Sequence, residues 1–349
     1  MALTFCLAED RIAEDTALRL VLLSLRKHQP EATVFLFRPQ PSSSFREWLR
    51  TFPSVVLVPH FPEGALGWNC KPQVLLDVLD RNCDGVVWLD SDILVTRGCD
   101  LLLNGHDEAI VVARESACIP YQGSAVRTEG WQLPPGRTFP RTMNSCVLRV
   151  TQSHRPLLVR WVELLKNPEY LAAQNMASYN RPPHFGGDQD ALNALLGSAE
   201  FSNVPVRELD ERYVIHTGGA RTYPLGHRLA GLFRRIPPFV HSSGPKPWIV
   251  LNPRNKGLTG RFWALQRIIL EASPYTAVAK KYERWLGTDS TWMRYSSPAG
   301  RILRLLGCGH YALRGMPLAL IAATISFFDR IARRVREETV SWHARQKCE

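Results

Sequence analysis

The chain has 349 residues, 45% of them hydrophobic and 21% charged, which excludes a fibre or a wholly disordered protein and leaves room for one large domain or two modest ones. Its formal net charge is +11, and fifteen Lys or Arg stand against seven Asp or Glu from residue 261 to 349, so +8 of that excess is C-terminal. A near-neutral body with a basic end argues against a nucleic-acid enzyme, whose charged groove would run throughout, and fits partners such as phosphorylated small molecules or an acidic membrane surface.

At the start of the chain Glu9, Asp10 and Arg11 interrupt the apolar run before a signal-peptide core can form. The eight cysteines include no C-x-x-C pair and no zinc spacing, so they read as reduced thiols of a cytoplasmic protein. LTFCLA (3–8) predicts a first strand, and Asp15 to Lys27, carrying Leu18, Leu20, Leu22 and Leu25, a first helix. ATVFLF (32–37) and SVVLVP (54–59) predict two more strands, KPQVLLDVLDR (71–81) a helix, and GVVWLDSDILV (85–95) holds an apolar strand that ends at two carboxylates. A Gly-, Pro- and Ser-rich stretch from Ala117 to Arg141, with Tyr121 and Trp131, predicts a long loop or lid. NSCVLRV (144–150) then reads as a strand, Pro156–Leu165 and Asp188–Leu196 as helices, and 201–248 as short strands and turns. Strands alternating with helices imply an α/β fold with a mostly parallel sheet.

Beyond about residue 255 the text turns Trp-, Arg- and Leu-rich and helical, which suggests a catalytic domain over 1–255 and a basic C-terminal region over 256–349. The thirteen-residue apolar run MPLALIAATISFF (316–328) is too short to cross a bilayer as a helix. Followed by Arg330, Arg333, Arg334 and Arg336, it suits either a membrane-surface contact or a helix packed on the core.

Two segments carry chemistry. In VVWLDSDILV, Asp90 and Asp92 stand two residues apart where an apolar strand ends, the edge at which open α/β sheets bind ligands. Two converging carboxylates suit a hard divalent cation, Mn²⁺ or Mg²⁺, which in turn can clamp a diphosphate. By itself an Asp-Ser-Asp is more often a turn or a helix cap. The second segment, VHSSGPKPW (240–248), supplies the complement: His241 as a further metal ligand, Gly244 for close approach of backbone to phosphate, and Lys246 as positive charge for a diphosphate leaving group. Its plain alternative is a turn with a surface His and Lys and a Trp248 anchor.

Taken together, these segments resemble the family 8 retaining glycosyltransferases of the glycogenin and bacterial lipooligosaccharide galactosyltransferase type, which have the GT-A fold. The family pattern is Asp-x-Asp after an apolar strand and, later, His-x-x-Gly-x-x-Lys-Pro-Trp; this chain has one residue fewer between Gly244 and Lys246. The resemblance spans about residues 3 to 250. It implies donor-binding roles for Lys71, for Ser91 between the two aspartates, and for Asn144 and Ser145 in MNSCVLRV, where Cys146 replaces the family's glycine. It implies that Asp188 and Gln189 of GGDQDALN line the sugar pocket, and that Ala8, Glu9 and Asp10 hold a base and ribose, with uridine as the nucleoside. Each of these residues also has a plain structural reading, as a helix cap or a solvated side chain.

The expectation is therefore a sugar-nucleotide-dependent transferase in which Asp90, Asp92 and His241 hold the metal, Lys246 assists departure of the diphosphate, and a saccharide or lipid-linked molecule accepts the sugar with retained anomeric configuration. Asp188 and Gln189 are then the candidates beside an oxocarbenium-like transition state. A non-catalytic sugar-nucleotide or glycan binding protein is the alternative that turnover would separate. A nucleotidyltransferase is disfavoured, because LAEDRIAEDT after the first strand is acidic and lacks glycine.

Overall fold

The computed structural model describes residues 3–11, 15–65, 67–99, 108–116, 122–255 and 257–329. Tyr121 and the arginines at 330, 333, 334 and 336 lie outside the described residues. The fold is α/β, built on a mostly parallel seven-stranded sheet flanked by helices.

The first four strands follow the apolar runs: β1 (Thr4–Ala8), β2 (Thr33–Phe37), β3 (Val55–Val58) and β4 (Gly85–Leu89). They lie in the order β3-β2-β1-β4, all parallel. Helices Asp15–His28 and Lys71–Asp80 cover opposite faces of this half, and β1 shows why: Phe5 and Leu7 pack with Leu18, Leu22 and Leu25 of the first helix, whereas Cys6 packs with Val74 and Val78 of the second. Alternate residues of one strand feed two cores, as the twofold repeat of a strand requires. The sheet continues as β4-β7-β6-β8, from β6 (Ile110–Arg114), β7 (Met143–Thr151) and β8 (Val206–Leu209), with β7 antiparallel to both neighbours. β6 and the helix Ser43–Leu49 were not anticipated from the sequence.

The strand ends at the carboxylates, as the sequence predicts, and the apolar text beyond them is a separate strand. β4 stops at Leu89, the Asp90 carbonyl accepts the Ile93 N–H at 3.1 Å to close a turn, and Ile93–Val95 forms β5 of a second sheet. There β5 pairs antiparallel with β10 (Phe239–Ser242), which pairs in parallel with β9 (Val214–Thr217). Apolar character is continuous through 85–95 because both sheets bury their strands; the polar Asp-Ser-Asp is where the chain passes from one to the other.

The long loop expected over 117–141 is corrected where it is described: residues Ala125–Gly130 form a helical turn, and Trp131 is buried against Tyr170 and Phe185. Past residue 255 the chain is helical, and the hydrophobic core runs into it, since Leu270, Tyr275, Val278 and Trp292 share a cluster with Phe5 and the first helix. Trp248 packs beside Tyr275 and Trp292, so the Lys-Pro-Trp segment is anchored from this side.

Candidate functional site

Strand order reverses between β1 and β4, and the carboxyl ends of both strands open onto a cavity of about 740 Å³, the position at which an α/β sheet offers a crevice to ligands. The β1 end supplies Ala8, Glu9 and Asp10, the β4 end supplies Asp90, Ser91 and Asp92, and β10 with its following turn supplies His241, Gly244 and Lys246. Lys71 closes the floor from the start of its helix. These segments are far apart in sequence. What joins them is the β5–β10 pairing: His241 lies opposite Ile93, and the Ser242 N–H donates to the Asp92 carbonyl at 3.1 Å.

Single donor atoms of Asp90, Asp92 and His241 lie within 4.8 Å of one another, a set able to hold one divalent ion. Asp92 Oδ1 is buried, lies 3.3 Å from His241 Nε2 and has no aligned hydrogen bond, so its lone pairs lack a partner of the kind a cation supplies. Asp92 Oδ2 accepts from Lys246 Nζ, which also donates to the Ser242 carbonyl at 2.8 Å. Burial pushes the Asp92 carboxyl up, but Lys246 and His241 more than reverse this and hold it well below the usual carboxylate range. On the other carboxylate, Trp88 Nε1 donates to Asp90 Oδ1 at 2.7 Å and Lys71 Nζ lies 3.1 Å from the same oxygen.

A hydrogen-bond chain sets the tautomer of neutral His241. His216 Nε2 lies 2.8 Å from the Arg114 carbonyl, which can only accept, so His216 carries its proton on Nε2 and presents Nδ1 as an acceptor. His241 Nδ1, at 2.9 Å, then donates to it, and His241 Nε2 keeps its lone pair on the side of Asp92. In the absence of a cation, burial lowers the His241 pKa, but Cys146 and Asp92 raise it well above its ordinary value.

Of the other residues expected at the site, Asn144, Ser145, Asp188 and Gln189 do not line this cavity. They come from β7, the strand beside β4 in the sheet, and from the helix that packs on it, and their polar atoms are engaged locally. Ser145 Oγ accepts from Lys71 Nζ at 2.7 Å and donates to Asp188 Oδ2 at 2.9 Å, while Lys71 Nζ sits 3.2 Å from Asp188. Lys71 is fully enclosed; burial lowers its pKa, and Asp188 and Asp90 raise it further than burial lowers it. Asn144 and Gln189 both donate to Glu115 Oε2, at 2.5 and 3.2 Å. Glu115 faces a second, smaller cavity of about 90 Å³ that it shares with Arg141, His216 and His227.

The site also has contacts and residues that the sequence does not show. Ser91 Oγ donates to Glu9 Oε2 at 2.8 Å, and Arg11 pairs with the same carboxylate at 2.7 Å, tying the β4 turn to the β1 end. Trp68, exposed at the rim, offers a flat face. Glu115, His216 and Trp68 carry no signal in a single sequence, because none belongs to a spaced pattern. Gly244 has φ +80° and open space around its Cβ position, so the turn needs the left-handed conformation, and Gly218 has φ +120° where a Cβ would meet the Ser243 carbonyl at 1.9 Å.

No protein-family model matches the chain, and no curated protein matches it in sequence. Among solved structures it is similar to the galactosyltransferase LgtC in complex with donor and acceptor sugar analogues, at 16% identity and a TM-score of 0.49 over 80% of this chain and 96% of that one. It is similar to the apo-form glycosyltransferase GlyE of Streptococcus pneumoniae TIGR4, at 17% identity and a TM-score of 0.47 over 82% of this chain and 64% of that one. The apo bifunctional glycosyltransferase WbbM is similar at 13% identity and a TM-score of 0.47, over 77% of this chain and 49% of that one.

Proposed function

We propose that this chain is a metal-dependent retaining glycosyltransferase of the GT-A fold that moves a sugar from a nucleotide-diphosphate donor, a UDP-sugar, to a saccharide or lipid-linked acceptor. The observation that carries this reading is the meeting of Asp90, Asp92 and His241 at the mouth of the strand-end cavity, around an unpartnered buried carboxylate oxygen and beside Lys246. The cavity, at about 740 Å³, is within the range that holds a cofactor-sized ligand. Donor type and retention of configuration rest on the family resemblance of the two motifs.

Mn²⁺ or Mg²⁺, when bound by Asp90, Asp92 and His241, neutralises the charge that builds on a departing diphosphate. The chain's own groups do the rest. Lys246 can exchange Asp92 for a phosphate oxygen, Gly244 lets backbone approach the diphosphate, and the Glu9–Ser91 bond keeps the β4 turn at the nucleoside end, where Ala8 and Asp10 line the cavity. Lys71 holds Asp90 and Asp188 in place, and Gln189 with Asn144 fixes the Glu115 carboxylate. Asp188 therefore acts at the sugar pocket through Lys71 and Ser145. Residues 1–255 form the catalytic unit in this reading and 256–349 a basic helical region.

The test is turnover of a panel of sugar nucleotides with and without Mn²⁺, by the natural protein and by Asp92→Ala. Metal-dependent donor hydrolysis or transfer that falls by about 10²-fold or more in the variant is expected. Undiminished activity in Asp92→Ala eliminates the site, and donor binding without turnover by the natural protein establishes the non-catalytic alternative.

The same reading places the protein in the cytoplasm, at the inner face of a membrane. No helix among the described residues is long and apolar enough to cross one. Exposed Leu305, Ile321, Ile325 and Phe328 nevertheless give the C-terminal helices an apolar outer surface next to exposed basic side chains such as Arg301. Nucleic acid is not a partner in this reading.

A further inference from the structure

The wall behind His241 holds a second group of ligand-type side chains. Cys146 on β7, His216 on β9 and His241 on β10 are all buried, and one donor atom of each lies within 4.8 Å of the others. The Nδ1 nitrogens of His216 and His241 are 2.9 Å apart. A tetrahedral ion bound at about 2.0–2.1 Å needs them about 3.3 Å apart, so a parting of roughly 0.4 Å opens the edge of a coordination site. The His216 lone pair is already directed there, because its Nε2–H is committed to the Arg114 carbonyl.

We propose that Cys146, His216 and His241 form a second metal site, for a thiophilic divalent ion such as Zn²⁺, that shares His241 with the Asp90–Asp92 site and excludes its cation. The donor set is one thiolate and two imidazoles, which favours a soft or borderline ion over Mn²⁺ or Mg²⁺. Exclusion follows from the single proton of a neutral imidazole. With that proton on Nδ1, given to His216, the Nε2 lone pair serves Asp90 and Asp92. With it on Nε2, 3.3 Å from Asp92 Oδ1, the Nδ1 lone pair serves Cys146 and His216. When the ion enters, Cys146 releases its thiol proton to solvent and the His241 proton moves from Nδ1 to Nε2; no oxidant or reductant is involved. A thiophilic ion at this site thus disables the hard-cation site without occupying the nucleotide cavity. The thiol site rests on the positions of these three side chains, and its exclusion of a hard cation rests on the Asp90–Asp92–His241 site of the proposed function.

The experiment titrates metal-free protein with Co²⁺ and follows the thiolate-to-cobalt charge-transfer absorption, which only a cysteine ligand produces. One equivalent of Co²⁺ is expected to generate the band, and excess Mn²⁺ to diminish it. Cys146→Ser abolishes the band, with Co²⁺ affinity at this site lowered by at least about 10–100-fold, the penalty that even outer-shell losses carry. Asp90→Asn keeps the band and makes it insensitive to Mn²⁺. Thermal melts with and without Zn²⁺ guard against misfolding: the stabilisation by Zn²⁺ present in the natural protein is absent from folded Cys146→Ser. No charge-transfer band in the natural protein, or an undiminished band in Cys146→Ser, overturns the site. A band indifferent to Mn²⁺ in the natural protein overturns the exclusion. Because Asp90→Asn removes the proposed catalytic cation while sparing the thiol site, loss of sugar transfer and loss of the cobalt spectrum are separately readable.

Discussion

Lys71 places a full positive charge in an enclosed pocket, where Asp90, Asp188 and Ser145 surround its ammonium group at 2.7 to 3.2 Å. Removing one partner of such a group leaves the others charged and desolvated, at a cost of about 3–5 kcal/mol. Lys71→Met is expected to lower stability by that amount in urea melts, and Lys71→Met/Asp188→Asn to recover part of it. The loss should be larger at pH 8 than at pH 5. Burial already raises the Asp188 pKa; without Lys71 it rises further, so the folded state gains a proton more readily than the unfolded chain and loses stability as pH climbs through that range. His241 titrates in the opposite context. Its pKa is raised by Cys146 and Asp92, although burial lowers it, and it must be neutral to ligate. Mn²⁺ affinity, measured calorimetrically, should therefore increase with pH through the His241 transition and release about one proton per ion.

Among the elements, the helix Asp188–Gly197 decides where β7 lies. Trp161 Nε1 donates to the Asp188 carbonyl at 2.9 Å, and Asn193 spans a backbone unit of β7, its Oδ1 accepting from Met143 N–H at 2.7 Å and its Nδ2 donating to Met143 O at 2.8 Å. Met143 lies beyond Val147, the last β7 residue that pairs with β4, so a side chain supplies hydrogen bonds where that strand has ended. Asn193→Ala leaves a buried donor and a buried acceptor unpaired, and about 2 kcal/mol or more should be lost in chemical denaturation. The Asp-Gln-Asp-x-x-Asn text was legible as the start of a helix; Asn193's role as a strand partner was not, because it depends on where β4 ends along β7. The Asp-Ser-Asp turn shows a similar limit. The sequence places it at a strand end, and only the β5–β10 pairing shows that its C-terminal flank joins a second sheet.

For the whole molecule, the C-terminal helices have two faces with separate consequences. Inward, Arg228 donates to the carbonyls of Ala312 and Arg314, so truncation after residue 310 would strip partners from a buried guanidinium and confound a binding assay. Outward, Ile321 and Ile325 are exposed. Ile321→Glu/Ile325→Glu is therefore the cleaner probe: binding to vesicles containing anionic lipid should fall by tenfold or more in co-sedimentation while the melting temperature stays within a few degrees. Equal binding by the variant, or none by the natural protein, removes the membrane contact from the proposed function.

The amino-acid sequence by itself determined the α/β class, the first four strands with the helices at Asp15–His28 and Lys71–Asp80, and four residues that come together in the strand-end cavity: Asp90, Asp92, His241 and Lys246. These were legible because apolar periodicity and short motifs are local properties of a chain. Tertiary structure alone decided that the apolar run 85–95 divides between two sheets, that Asn144 and Gln189 turn to Glu115, and that Cys146 and His216 stand behind His241. Each of those outcomes is a pairing between segments remote in sequence, and which partner a strand or a buried polar atom takes depends on what the rest of the fold packs beside it.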